Sequence, residues 1–130
     1  MITFKYFLNE SNIIEDSIYA FADKVRTELN LSKFDLWVSN TSPNVIGLRY
    51  LIVGKDKQSN GDGTKAMKML CKFADDNHLK IVLSPLGKDV RLGTTSRSRL
   101  VDFYKRFGFV LNRGKHKDFH FMDDMFRNPK

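Results

Sequence analysis

A single cysteine, Cys71, stands in the 130 residues, which excludes an internal disulfide and a zinc site built on several thiolates and points to a reducing, cytoplasmic setting. No apolar run approaches the roughly 20 residues that a membrane-spanning helix needs. The start MITFKYFLNES lacks a basic segment followed by an apolar core of about 7–15 residues, so no secretory leader is read there. Internal repeats and low-complexity tracts are also missing. What is present is an ordinary globular composition, 42% hydrophobic and 12% aromatic, sufficient for one packed core and hence one domain over residues 1–130. The charge of +7, from 22 Lys and Arg against 15 Asp and Glu, is spread along the chain. It suits a phosphorylated cofactor, a nucleic acid, an acidic partner or a merely soluble surface, and alone selects none of them.

Periodicity orders the elements. Ile2, Phe4, Tyr6 and Leu8 alternate with Thr3, Lys5 and Phe7, which predicts a first strand. Asn12 and Glu15 have capping-box spacing, and Ile14, Ile18, Phe21, Ala22, Val25 and Leu29 then recur with helical period. FDLWVSN and VIGLRYLIV flank the turn signal NTSPN, giving two antiparallel strands. A polar glycine-bearing loop then enters a helix from about Thr64 to His78 that buries Ala66, Met67, Leu70, Phe73 and Ala74, and KIVLS reads as a buried strand. Strand, helix and strand make a βαβ unit with parallel strands. PLGKDVRLGTTS reads as a long loop, a short helix from about Ser96 to Phe107 stops at Gly108, and FVLN with DFHFMDDMFR forms a final hairpin across RGKHK. The expected fold is α/β, with a mixed, mostly antiparallel sheet of about six strands.

The loop KDKQSNGDGTK carries the chemistry. Glycines at the entry of a helix let an anion approach its unpaired N–H groups. A nucleotide P-loop fails, because Thr64 separates Gly63 from Lys65 and no glycine lies five residues before Gly63. The dinucleotide fingerprint matches Gly61, Gly63 and Ala66, but Gly61 lies well beyond Val53 and the next strand ends in Ser84 rather than an acid.

The whole stretch, Val53 to Gln58 and then SNGDG, has the form V-x-x-x-x-Q-x-x-G-x-G and resembles the pyrophosphate-binding motif of the GNAT superfamily, the acyl-CoA-dependent N-acetyltransferases. A second stretch, RLVDFYKRFGFV at Arg99 to Val110, resembles that family's later L-x-x-F-Y-x-x-x-G-F element. Together they cover about residues 46 to 112, and the flavour is also similar to small bacteriophage-encoded members. The resemblance implies a GNAT-like fold and transfer of an acetyl group from acetyl-CoA to a primary amine by direct attack on the thioester. It implies that Gln58, Ser59, Asn60, Gly61, Asp62, Gly63 and Thr64 surround the pyrophosphate. Leu51, Ile52 and Val53 would grip the pantetheine and polarise the thioester in a splay between the strands ending near Val53 and Ser84. Tyr104 would protonate the leaving thiolate. Many members carry Asn seven residues before that tyrosine to contact the pantetheine arm; this chain departs from them with Arg97 at that place, which would be the remaining cofactor-binding residue. The N-terminal part, with a single helix and one strand fewer than in a typical member, implies a reduced acceptor pocket or one built with another chain, so a homodimer is compatible.

Other features read more plainly. No acid lies from Val45 to Val53; Asp123 and Asp124, placed on the last strand, are candidate bases or simply edge charges. Without an acid at the site, a non-catalytic acyl-CoA-binding protein is the alternative. His116 and His120, in a predicted turn and strand, lack metal-site spacing, and no metal is expected. Cys71 falls on the buried side of its helix. Lys55, Lys57, Lys65, Lys68, Lys105 and Arg106 make a basic surround for phosphates or a solvated face. They also feed a rival reading as a nucleic-acid-binding module, which lacks a helix-turn-helix, a zinc pattern and evident aromatic–basic interleaving. An amine acceptor is the expected partner, with neither membrane nor nucleic acid.

Overall fold

The computed structural model describes residues 2–53, 61–85 and 97–130, with side chains from Glu15 onward. Helix α1 (Ile2–Glu28) leads to strands β1 (Lys33–Val38) and β2 (Val45–Ile52), then helix α2 (Asp62–Asp76), strand β3 (Lys80–Leu83), helix α3 (Arg97–Lys105), strand β4 (Val110–Leu111), a 3₁₀ turn at Gly114–His116, and strand β5 (Met125–Arg127). The strands form one mixed sheet in the order β1-β2-β3-β5-β4. β2 and β3 are parallel, and the other pairings are antiparallel.

Five strands stand where six were expected, because α1 absorbs the expected first strand. No Gly or Pro occurs before Pro43, so nothing interrupts a helix once nucleated, and residues 2–8 continue it. The Asn12–Glu15 pair therefore lies inside α1 rather than capping it. The helix ends in a left-handed residue, Asn30, with the Leu31 N–H donating to the Arg26 carbonyl at 2.9 Å.

The helices share one face of the sheet. Ile18, Ala22 and Val25 of α1, Ala66, Met67, Leu70 and Ala74 of α2, and Val101 of α3 pack with Phe34, Leu36, Ile46, Leu48, Ile81 and Leu83. Phe21 of α1 stacks on Phe73 of α2 at 4.2 Å. On the opposite face Val45, Val82 and Phe126 are covered by Trp37, Val110 and Phe121, as the period-2 alternation of strands requires. The Trp37 indole lies across Gly47, its cross-strand partner; a β-carbon there would come within 1.9 Å of the ring.

The final hairpin is also shorter than expected. Residues 118–124 are turn and coil, not strand, because the buried Asn112 side chain takes over their backbone. Its amide donates to the carbonyls of Asp118, Phe121 and Asp123, and its oxygen accepts the Asp118 N–H at 2.6 Å. A peptide group satisfied by a side chain is withdrawn from a sheet ladder. Asp123 and Asp124 thus precede β5 instead of lying on it.

Candidate functional site

The candidate site lies where the end of β2, the start of α2 and one side of α3 meet. In the β1–β2 pairing Asp35 faces Tyr50 and Leu36 faces Leu48, so Arg49 is an extra residue in β2. Such a β-bulge bends and twists its strand. The parallel ladder with β3 runs from Val45 to Leu48 and stops there, whereas β2 continues to Ile52. The Ile52 carbonyl accepts the Ser32 N–H at 2.9 Å and so faces β1. Alternation then turns the peptide groups of Leu51 toward the opposite edge, beyond the reach of the β3 ladder. Leu51, Ile52 and Val53 are half-buried there.

α2 follows its N-cap Gly61, whose φ of 72° and ψ of 19° place it in the left-handed region, and among the described residues no side chain caps the helix. The Gly61 carbonyl accepts the Lys65 N–H at 3.0 Å, leaving the first-turn N–H groups of Asp62, Gly63 and Thr64 without intrahelical acceptors. Asp62 is a carboxylate in this positive end. It competes with any anionic ligand, and Lys65 offsets it from 3.9 Å. Gly63 ties the three elements together: a β-carbon there would lie 3.8 Å from Cζ of Phe103 and 3.8 Å from Cγ2 of Val53. Gln58, Ser59 and Asn60, with Lys55 and Lys57, lie outside the described residues.

Tyr104 is half-buried on α3, with its ring 5.3 Å from Phe103 and 5.9 Å from Phe109. Burial pushes its phenol up to about 12, so it carries its proton throughout the physiological range. Arg97, seven residues earlier and on the same side of α3, is ion-paired to Asp124 at 2.8 Å. Among the acids considered as bases, burial and then the neighbouring Asp124 raise the Asp123 carboxyl; the Asp124 side chain points to the Arg97 guanidinium. Cys71 is buried and its thiol is pushed up by burial, which suits a core residue and not a nucleophile.

A second polar cluster sits at the other end of β2 and β3 and was not legible in the sequence. Lys80 Nζ meets Asp118 at 2.9 Å, and His120 Nδ1 meets the other Asp118 oxygen at 2.8 Å. These contacts, Lys80 first, hold Asp118 well below the usual carboxylate range. The cleft beside them, of about 390 Å³, is also lined by Ser42, Asn44, His78 and Phe121. His120 therefore pairs with Asp118, and His116 stands in the 3₁₀ turn. Among the described residues no group of three His, Cys, Asp or Glu is placed to hold a metal, and no helix is long and apolar enough to cross a membrane.

Comparison with protein families, curated proteins and solved structures returns no match.

Proposed function

We propose that the chain is an acetyl-CoA-dependent N-acetyltransferase of GNAT type, acting on a primary amine. The observation that carries the reading is the junction at Val53, Gly63 and Phe103. There a bulged strand carries the Leu51 peptide beyond the β3 ladder, a helix start with no side-chain cap among the described residues presents N–H groups, and the helix bearing Tyr104 packs alongside. In this reading the Leu51 N–H polarises the thioester carbonyl, and the α2 N–H groups receive the diphosphate of the acetyl donor. The acceptor nitrogen attacks the thioester carbon, the C–N bond forms as C–S breaks, and the Tyr104 hydroxyl gives its proton to the departing thiolate. The amine loses its proton to solvent, since no described acid lies on β2, and Tyr104 is reprotonated from the same source.

Calorimetric titration tests the first half of this reading. Acetyl-CoA and CoA are expected to bind, and dephosphorylated pantetheine more weakly than either, because the helix start reads phosphate. Binding of NAD or ATP without CoA would overturn the assignment. Binding of CoA with no acetyl transfer to any amine would leave an acyl-CoA-binding protein of the same architecture.

A further inference from the structure

The charge that looks dispersed along the sequence is concentrated in the last quarter or so of the chain. Residues 97–130 carry nine Lys and Arg against four Asp, a net +5 of the chain's +7. Two of these cations are matched, Arg127 by Asp75 and Arg97 by Asp124. Lys105 and Arg106 at the end of α3, and Arg113, Lys115 and Lys117 around the 3₁₀ turn, are exposed and have no acidic partner among the described residues.

Two of these cations, Lys105 and Arg113, line a groove, and Arg106, Lys115 and Lys117 lie within four residues of them in the chain. β4 is an edge strand, paired with β5 on one side only. Two adjoining clefts, of about 530 and 470 Å³, lie along it and share Lys105, Leu111 and Arg113. The groove thus has apolar Val110 and Leu111 in its lining, with Lys105 and Arg113 shared by both clefts, His116 in one, and Asp102 with the Arg97-paired Asp124 in the other. Three residues past His116, Phe119 stands 86% exposed and Met122 95% exposed. The segment that carries them is not loose. Asn112 binds it from inside at three carbonyls and one N–H, and Asp118 anchors it to Lys80. Holding an aromatic ring in water on a fixed support lowers the ordering cost of anything that stacks on it. Lys117 Nζ lies 5.6 Å from that ring's centroid, so cation and ring form one surface.

We propose that this groove and the Phe119 segment bind single-stranded nucleic acid, the phosphates following Lys105, Arg106, Arg113, Lys115 and Lys117 while a base stacks on Phe119. A basic track next to an exposed ring is the physical requirement for sequence-tolerant single-strand binding. The sequence showed the basic residues but not that, among the nine phenylalanines whose side chains are described, one ring is left in water, which is why the pattern was not evident there. The inference does not depend on the acetyl-CoA reading, since the groove and the Val53–Gly63 junction share no lining residue.

The test uses fluorescence anisotropy of labelled 12-nucleotide oligo-dT and oligo-U with the whole chain, from low to physiological salt. Binding is expected to weaken with salt at a log–log slope of about −3, as neutralisation of four to five phosphates by a single strand requires. The double variant K105E/R113E should lose at least about ten-fold in affinity and flatten that slope. Phe119→Ala should lose about five-fold or more at unchanged slope, because stacking is not electrostatic. Phe119→Trp should keep the affinity and show emission quenched by the oligonucleotide, against the parent signal of Trp37. Circular dichroism checks that each exposed substitution leaves the fold intact. No binding at about 50 mM salt would overturn the proposal. Equal competition by polyglutamate, with Phe119→Ala unchanged, would overturn it in favour of an acidic protein partner.

Discussion

The two halves of the β2–α2 unit are built to opposite specifications. In the first half, Val45 to Leu48 is laddered on both sides, and the connected end of α2 is satisfied several times over. His78 takes the left-handed position, the Leu79 N–H reaches back to the Ala74 carbonyl at 2.8 Å, and the Asn77 amide donates to Phe73 O at 2.8 Å. Asp75 then accepts two bonds from the buried Arg127 guanidinium and one from the Lys130 N–H. In the second half, the ladder to β3 stops at Leu48 and, among the described residues, α2 begins with no side-chain cap. Unused donors are tolerated only where a ligand or water takes them. The contrast teaches that the hydrogen bonds and ion pairs of a single βα unit are concentrated at one end, and the proposed function uses the other.

The largest expected effect comes from breaking the satisfied end. Asp75→Asn leaves the Arg127 guanidinium, 5% exposed, without its counter-charge, and should cost about 3 kcal/mol in denaturant unfolding. The parent's acid sensitivity checks the same pair. Arg127, first, holds the Asp75 carboxyl down to about 2, below its unfolded value of about 3.9. The pair's contribution is therefore fully present above about pH 4 and is lost as pH falls through 2. The variant's melting temperature should change less than the parent's across that window. A parallel pH response in both would separate Asp75 from the stability of this end.

Next in size is Gly47→Ala, in the doubly laddered stretch. The added methyl must displace Trp37 from its place over the strand, at about 2 kcal/mol. An unchanged unfolding midpoint would show that the indole can move freely.

The open end is probed by Tyr104→Phe. Removing the hydroxyl should slow acetyl transfer by about ten-fold or more while acetyl-CoA affinity stays within a few fold, because the ring keeps its contacts with Phe103 and Phe109. With the parent phenol at about 12, Tyr104 imposes no loss of rate between pH 7 and 10. Equal rates in parent and variant would return Tyr104 to a packing role.

The smallest effect should be a gain. His78 holds a left-handed φ of 56° where glycine meets no β-carbon penalty. His78→Gly is thus expected to raise stability by about 0.5–1 kcal/mol. A loss instead would mean that the imidazole makes contacts in the Asp118 cleft that outweigh its backbone strain.

What was legible in the sequence follows from how local each signal is. The β1–β2 hairpin, α2, β3 and the parallel pairing depend on periodicity and nearby turn residues, and all were readable. Residues 2–8 satisfied a strand period, but no residue with a fixed backbone preference separated them from the helix that followed. Arg127 and Asp75 are 52 residues apart, and Asn112 claims the backbone of residues 118–123. Neither pairing leaves a local trace. At the candidate site, Tyr104, Gly61 and Gly63 were singled out from motif spacing, and the structure adds the bulge at Arg49. Gln58 to Asn60 lie outside the described residues.

The strand order has a consequence for how the chain is made. β5, the last of the five strands in chain order, lies between β3 and β4, and among the described residues β4 has no other neighbour in the sheet. Until residues 125–127 emerge, β3 presents a bare apolar edge and β4 has nothing to join. Domains whose decisive contacts are distant in sequence fold late and slowly. Arg127, on that same strand, closes the bridge to α2. A nascent chain stalled just short of β5 should therefore resemble an open hand, protease-sensitive along β3, which snaps shut only when the final strand is delivered into the middle of the sheet.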